Sequence, residues 1–241
     1  MKKSPLTLFF TLLFITTVFA ACSSGQRQTE ADLNSGLSNE SASYPLPTPN
    51  LTGTLSVESA LANRRSQRSF TEEALSKEAL GQLLWAAAGM TSEDNLRTAP
   101  SAGALYPLEL YAVVGDVTGL AAGIYRYDPI DHQVIHIVTG DQRNALQAAA
   151  LNQSSIEKAP LTFVFTTVTE RLAERYGKRG ETRYAYFEIG HAAQNVYLQA
   201  SSLALGTVAI GAFTDQDVAS LLQLPSGEEA RYIMPIGHPM H

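Results

Sequence analysis

The chain has 241 residues, 45% hydrophobic and 17% charged, with a formal net charge of −6 and a single cysteine. This is the composition of a globular core with a tail. The acidic balance excludes a nucleic-acid binder, which needs a concentrated basic face.

Taken in chain order, Lys2 and Lys3 precede the apolar run "LTLFFTLLFITTVFAAC", which closes on Ala20, Ala21 and Cys22. The pattern predicts a lipoprotein-type signal peptide over residues 1–21, with Cys22 carrying the lipid and Phe19 standing where Leu is usual. Cleavage there removes Lys2 and Lys3 from 17 basic residues, leaving 15 against 23 acidic ones and a net charge of −8. With Cys22 lipidated no thiol remains, so disulfides, thiolate metal sites and Cys nucleophiles are excluded and redox chemistry must come from a bound cofactor. Residues 22–53, rich in Ser, Asn, Thr, Gln and Pro, read as a flexible tether. Residues 54–241 read as the folded domain. The expected place is the cell envelope, lipid-anchored and facing the periplasm, with no other membrane contact.

Within the domain, Ser56 is placed to cap a helix through "VESALANRR". Ser76 caps a second, with Leu80, Leu83, Leu84, Ala87 and Ala88 on one face and Gly89 as its stop. The corner "PSAGALYP" leads into the strand "LELYAVV". Strands "GIYRYD" and "QVIHIV" flank a turn at Asp128, Pro129 and Asp131. A helix is expected over residues 141–151, then the buried strand "PLTFVFTTV". A long helix over 184–205 has Phe187, Ala192, Val196, Ala200 and Leu203 on its inner face. Thr214 is placed to cap "DQDVASLLQL", and "ARYIMPIG" is the last strand. The intermixed order predicts an α+β fold around one sheet.

Several groups could do chemistry. Arg64, Arg65, Ser66 and Arg68 form a forked, permanently charged donor set suited to a phosphate, or simply a basic helix end. Pro100, Ser101, Ala102 and Gly103 make a narrow corner that another body could approach closely. Glycines at 206 and 211 either let backbone N–H groups face a flat ligand or mark a helix end and core strand. Tyr176, among Arg175, Lys178, Arg179 and Arg183, is a candidate proton donor on what otherwise reads as a mobile polar loop. His191 reads as a hydrogen-bonded core residue. His132 and His136 share a face of a strand with no third ligand in view, and no metal is called.

Together "RRSQRSF", "PSAGALYPLELY", "LNQSSIEKAPLTFVFT", "YGKRGETRYAYFEIGHAAQNVYLQASSLALG" and "AIGAF" resemble the nitroreductase superfamily, and within it the SagB-type thiazoline/oxazoline dehydrogenase branch. The resemblance implies an FMN-dependent oxidoreductase that moves hydride between flavin and a small organic substrate. It implies an α/β sandwich with a central, mainly antiparallel sheet, and an intertwined homodimer. Carried onto this sequence, Arg64, Ser66 and Arg68, with Arg65 adjacent, would hold the FMN phosphate. Pro100, Ser101, Ala102 and Gly103 would reach the partner subunit's flavin. Gln153 (or Asn152) would contact the flavin, and Val208, Ala209, Ile210 and Gly211 would lie along its ring. Two departures stand out. The chain reaches "GHPMH" with no C-terminal Lys or Arg for the phosphate, so His238 is the nearest substitute. Where azoline-oxidising relatives use Lys-Tyr, this chain has Arg175-Tyr176, and arginine is a poor proton acceptor. The alternative is an envelope lipoprotein that binds flavin or another small ligand without turnover.

Overall fold

The strand "LELYAVV" is apolar at nearly every position because both of its faces are covered. The computed structural model describes residues 42–240; the expected signal peptide and Cys22 lie outside them. Seven strands form one antiparallel sheet: β1 (Ser43–Pro45), β2 (Leu108–Val114), β3 (Gly123–Asp128), β4 (Gln133–Thr139), β5 (Leu161–Val168), β6 (Gly206–Thr207) and β7 (Glu228–Gly237). Their spatial order is β1-β4-β3-β2-β5-β7-β6. The expected mainly antiparallel sheet is therefore present, with β2 at its centre between β3 and β5.

Leu108, Leu110, Ala112 and Val114 of β2 face α2 (Lys77–Ala88) and α6 (Ala185–Ser202), alongside Phe163, Phe165 and Met234. Tyr111 and Val113 face the other way, onto α3 (Arg143–Ala149), α4 (Ser154–Lys158) and α7 (Asp215–Leu222) through Leu146, Ile156, Val218 and Leu222. The period-two alternation of the strand thus feeds two cores, and the molecule is a three-layer sandwich. The expected α+β class holds.

The caps at Ser56 and Ser76 form as expected: their side chains accept from Ser59 N–H and Ala79 N–H. α1 (Val57–Asn63) ends before the arginines, with Arg64 as its C-cap. Elsewhere the elements depart from expectation for local reasons. The helix expected over 141–151 is present but shorter, as Arg143–Ala149; Leu151 (φ 55°) and Asn152 (φ 61°) then turn left-handed and a second short helix, α4, follows. The polar stretch before the long helix is helical, not a loop: α5 (Glu170–Tyr176), then a π-helical turn at Gly180–Tyr184 that runs into α6. Buried Leu172 and Gly180 anchor it, a pattern too sparse to read as amphipathic. Phe187 is not on the inner face of α6; it is 55% exposed. Thr214 occupies the N-cap of α7 but makes no capping side-chain bond. His191 is exposed rather than in the core.

The boundary of the folded body also moves. Within the expected tether, Ser43–Pro45 pairs with β4, and Leu46 joins the core. His132 explains why. It sits in the β3–β4 turn at φ 47°, not on the strand, so it does not share a strand face with His136. Its Nδ1 meets the Tyr127 hydroxyl at 2.9 Å and its Nε2 meets the Pro47 carbonyl at 3.0 Å. One neutral tautomer satisfies both contacts, donating from Nε2 and accepting at Nδ1. Among the described residues no helix is long and apolar enough to cross a membrane.

Candidate active site

The arginine segment leaves α1 extended and runs beside the end of α6. Ser66 bridges to Thr207 as a parallel partner, and Gln67 N–H donates to the Thr207 carbonyl at 2.9 Å. Close approach here depends on Gly206, where a Cβ would lie 2.7 Å from Gln67 Cβ. Tyr197 of α6 clamps the pairing. Its hydroxyl accepts from Ala209 N–H at 2.9 Å and lies 3.2 Å from Ser66 Oγ, while Arg64 stacks over its ring at 5.0 Å. Arg64, Gln67, Tyr197 and Thr207 line a cavity of about 270 Å³.

The three arginines are not equivalent. Arg65 turns back onto α1 and donates to the Ala62 and Arg64 carbonyls at 2.9 and 2.7 Å, which is the helix-end role. Arg64 lines the cavity with its charge unpaired, and Arg68 is exposed with no ion pair among the described residues. Ser66, Arg64 and Arg68 therefore present an anion-seeking donor set. His238 does not extend it: its imidazole lies 3.6 Å from Glu73.

The segment Val208–Gly211 lies directly after this pairing. Ala209 N–H is held by Tyr197, and Ile210 exchanges both backbone bonds with Ile233, so those amides already have partners. Gly211 is exposed and has open space where a side chain would stand. Gln153 reaches the same segment, donating from Nε2 to the Ala212 carbonyl at 3.1 Å.

The corner Pro100–Gly103 forms a second cluster. It is a strained turn: Gly103, Ala104 and Tyr106 have φ of 64°, 54° and 45°. Ser101 Oγ accepts Tyr106 N–H at 2.9 Å. A Cβ on Gly103 would lie 2.7 Å from the Tyr176 hydroxyl and 3.0 Å from Arg175 Nη1. Arg175 and Tyr176 thus pack on the turn from the end of α5, with Tyr184 edge-on to Tyr176 at 5.1 Å. Arg171 fixes α5 in place, donating to the Tyr106 carbonyl at 2.7 Å and pairing with Glu109 at 2.7 Å.

One chain therefore gathers the expected residues into two clusters. The Arg64–Ser66–Arg68 segment joins Val208–Gly211 and Gln153; Pro100–Gly103 joins Arg175 and Tyr176. α6 connects them, with Glu188 under the turn and Tyr197 at the cavity, nine residues and roughly 13 Å apart along the axis. Sequence reasoning missed Tyr197, Thr207 and Glu188. Tyr197 follows the inner-face Val196, which is the one signal that could have drawn attention to it.

The profile of the Nitroreductase family matches residues 61–238. A protein of Methanocaldococcus jannaschii whose name places it among the nitroreductases is 42% identical over 183 residues, 76% of this chain and 91% of its own length. The trifolitoxin-processing protein TfxB of Rhizobium leguminosarum bv. trifolii is 33% identical over 138 residues, 56% of this chain and 37% of its own length. Among solved structures, a Ralstonia eutropha protein classed with the nitroreductases superposes with a TM-score of 0.73 at 30% identity, covering 83% of this chain and 90% of that one. The NADPH:FMN oxidoreductase of Vibrio harveyi superposes with a TM-score of 0.57 at 23% identity, covering 77% of this chain and 69% of that one, a likeness of fold.

Proposed function

The chain belongs to the nitroreductase family and is an oxidoreductase, and from that premise we propose that it uses FMN, is of the SagB type, and acts on a small organic substrate. The observation that carries the FMN reading is the Ser66–Thr207 pairing. It brings the Arg64–Arg68 segment, a donor set for a dianionic phosphate, alongside Thr207 and so next to the Val208–Gly211 segment, with Arg64 and Thr207 lining a common cavity. The donor chemistry fits the phosphate of that group. When bound, FMN supplies hydride acceptance and donation at its N5 atom.

The chain's own residues then have distinct tasks. Arg64 and Arg68 neutralise the phosphate and Ser66 donates to it. Gly211 leaves its segment open to a flat ring, and Gln153 holds the following turn. Tyr176 can hand a proton to substrate from the Pro100–Gly103 side, where Arg175 covers its ring at 5.6 Å. The SagB-type assignment is supported by the five motifs in order and by the likeness to TfxB, a protein named for toxin processing. Arg175 in place of lysine makes a base at that position unsuitable, so substrates needing a proton donor suit the site better than azolines needing deprotonation.

Export and lipidation at Cys22 complete the proposal. An exported domain has no ready NAD(P)H, so we expect a membrane carrier or another small molecule to exchange electrons with it. Robust NADPH turnover by cytoplasmic protein would overturn that part. The central experiment is an absorbance spectrum of purified protein, bleached with dithionite and restored with an acceptor. A flavin spectrum is expected. In Arg64→Ala/Arg68→Ala, loss of two charge-assisted contacts raises the flavin Kd by about 100-fold or more. Unchanged flavin content in that variant would refute the phosphate site.

A further inference from the structure

Beneath the Pro100–Tyr106 turn lies a carboxylate that the proposed chemistry does not use. Glu188, in the first turn of α6, is 4% exposed, and its Oε2 is buried with no hydrogen-bond partner among the described residues. The Ser101 hydroxyl and Leu108 N–H face the same carboxyl. Because Ser101 Oγ accepts Tyr106 N–H at 2.9 Å, its single proton is left for Glu188. The Tyr106 N–H to Ser101 bond, with Ser101 facing Glu188, closes a turn in which Ala104 and Tyr106, both with side chains, hold left-handed backbone.

A second group beside it is also incomplete. Arg97 is half-buried, and its Nε is buried without a partner among the described residues. Its guanidinium lies 4.3 Å over the Tyr106 ring. The charged groups facing Glu188 are Arg97, from the loop before the turn, and Arg171, from α5. Arg171 is already engaged by Glu109 and the Tyr106 carbonyl. Arg97 is the charge left to respond to Glu188.

We propose that Glu188 is a positioning residue that sets the Pro100–Tyr106 turn through its state of protonation, with Arg97 as the moving part. Neutral Glu188 leaves Arg97 stacked on Tyr106, as in the structure. Ionised Glu188 draws the guanidinium to its free Oε2, withdraws it from Tyr106 and shifts the turn. Burial pushes the Glu188 carboxyl up to about 7, against the pull of Ser101, Leu108 and the two arginines, so both forms are populated near neutrality. Any effect on a flavin rests on the proposed function; the coupling of Glu188 to the turn does not.

The test is NMR of the isotopically labelled full chain, titrated across about two pH units either side of neutrality. The Glu188 side-chain carboxyl and the amides of Gly103 and Tyr106 are expected to move together, with one midpoint. Glu188→Gln abolishes the midpoint at both amides. Ser101→Ala, which keeps the carboxyl but removes the hydroxyl facing it, leaves the Glu188 titration and reduces the amide response; it decides the matter if the Gln variant does not fold. Amides that stay flat while Glu188 titrates, or that titrate unchanged in Glu188→Gln, overturn the proposal. Flavin absorbance read on the same samples keeps the two readings apart. Protein without flavin at every pH would refute the FMN site and leave the coupling standing; flat amides refute the coupling whether or not flavin is present.

Discussion

Gly103 carries two constraints at once: a φ of 64° and no room for a Cβ beside Tyr176 and Arg175. Gly103→Ala meets both, so it is expected to cost at least about 1 kcal/mol and to push α5 off the turn. Urea unfolding reads the first effect and activity the second; a variant with unchanged stability and turnover would show that the packing is incidental. His132 makes a different residue-scale prediction. Burial holds its imidazole below the ordinary histidine range. A base with a depressed folded pKa contributes stability above its unfolded pKa, here about 6.5, and that contribution is lost as pH falls through the folded value. The wild-type melting temperature should therefore fall on acidification below about pH 6.5 more steeply than that of His132→Gln. Equal slopes would mean that His132 does not hold the Ser43–Pro47 segment in place.

At the scale of elements, α6 does two jobs, packing the sheet through Ala192, Val196 and Ala200 while carrying Tyr197 to the arginine segment. Tyr197→Phe keeps the ring under Arg64 but strands Ala209 N–H. The expected cost is about 1–3 kcal/mol in stability, with weaker flavin retention, checked by denaturant unfolding and absorbance. The packing half of this element was legible in the sequence, and so was most of the sheet. Buried strands announce themselves by length and β-branched content, and helices by a serine cap and a repeating apolar face. The clamp was not legible. Ser66 and Tyr197 are 131 residues apart, and nothing in either local sequence encodes the other. The π-helical turn was misread for a related reason: a short element anchored by two buried residues has the composition of a loop. The candidate site was legible as residue types, through motifs and a family resemblance. Its division into two clusters, and the use of Arg65 at the helix end, depend on the backbone path.

For the whole molecule, the division of the candidate site into two clusters is the property with the largest consequence. The arginine cavity and the Pro100–Gly103 turn sit at separate points along α6, roughly 13 Å apart along its axis. Homodimers are typical of the family, and a two-fold arrangement would set the turn, Arg175 and Tyr176 of one copy against the cavity of the other. Exposed apolar side chains such as Leu51, Val57, Leu61 and Phe187 are surface that such an interface would bury. Flavin affinity should then depend on protein concentration, because dissociation removes the turn from each site. Dilution across the dimer dissociation constant, followed by flavin fluorescence, should release cofactor in step with the monomer fraction measured by analytical ultracentrifugation. Gly103→Ala should weaken retention in the dimer, while Arg64→Ala should weaken it in dimer and monomer alike. Monomer that keeps full affinity would confine the site to the arginine cavity and reduce the turn to a structural corner.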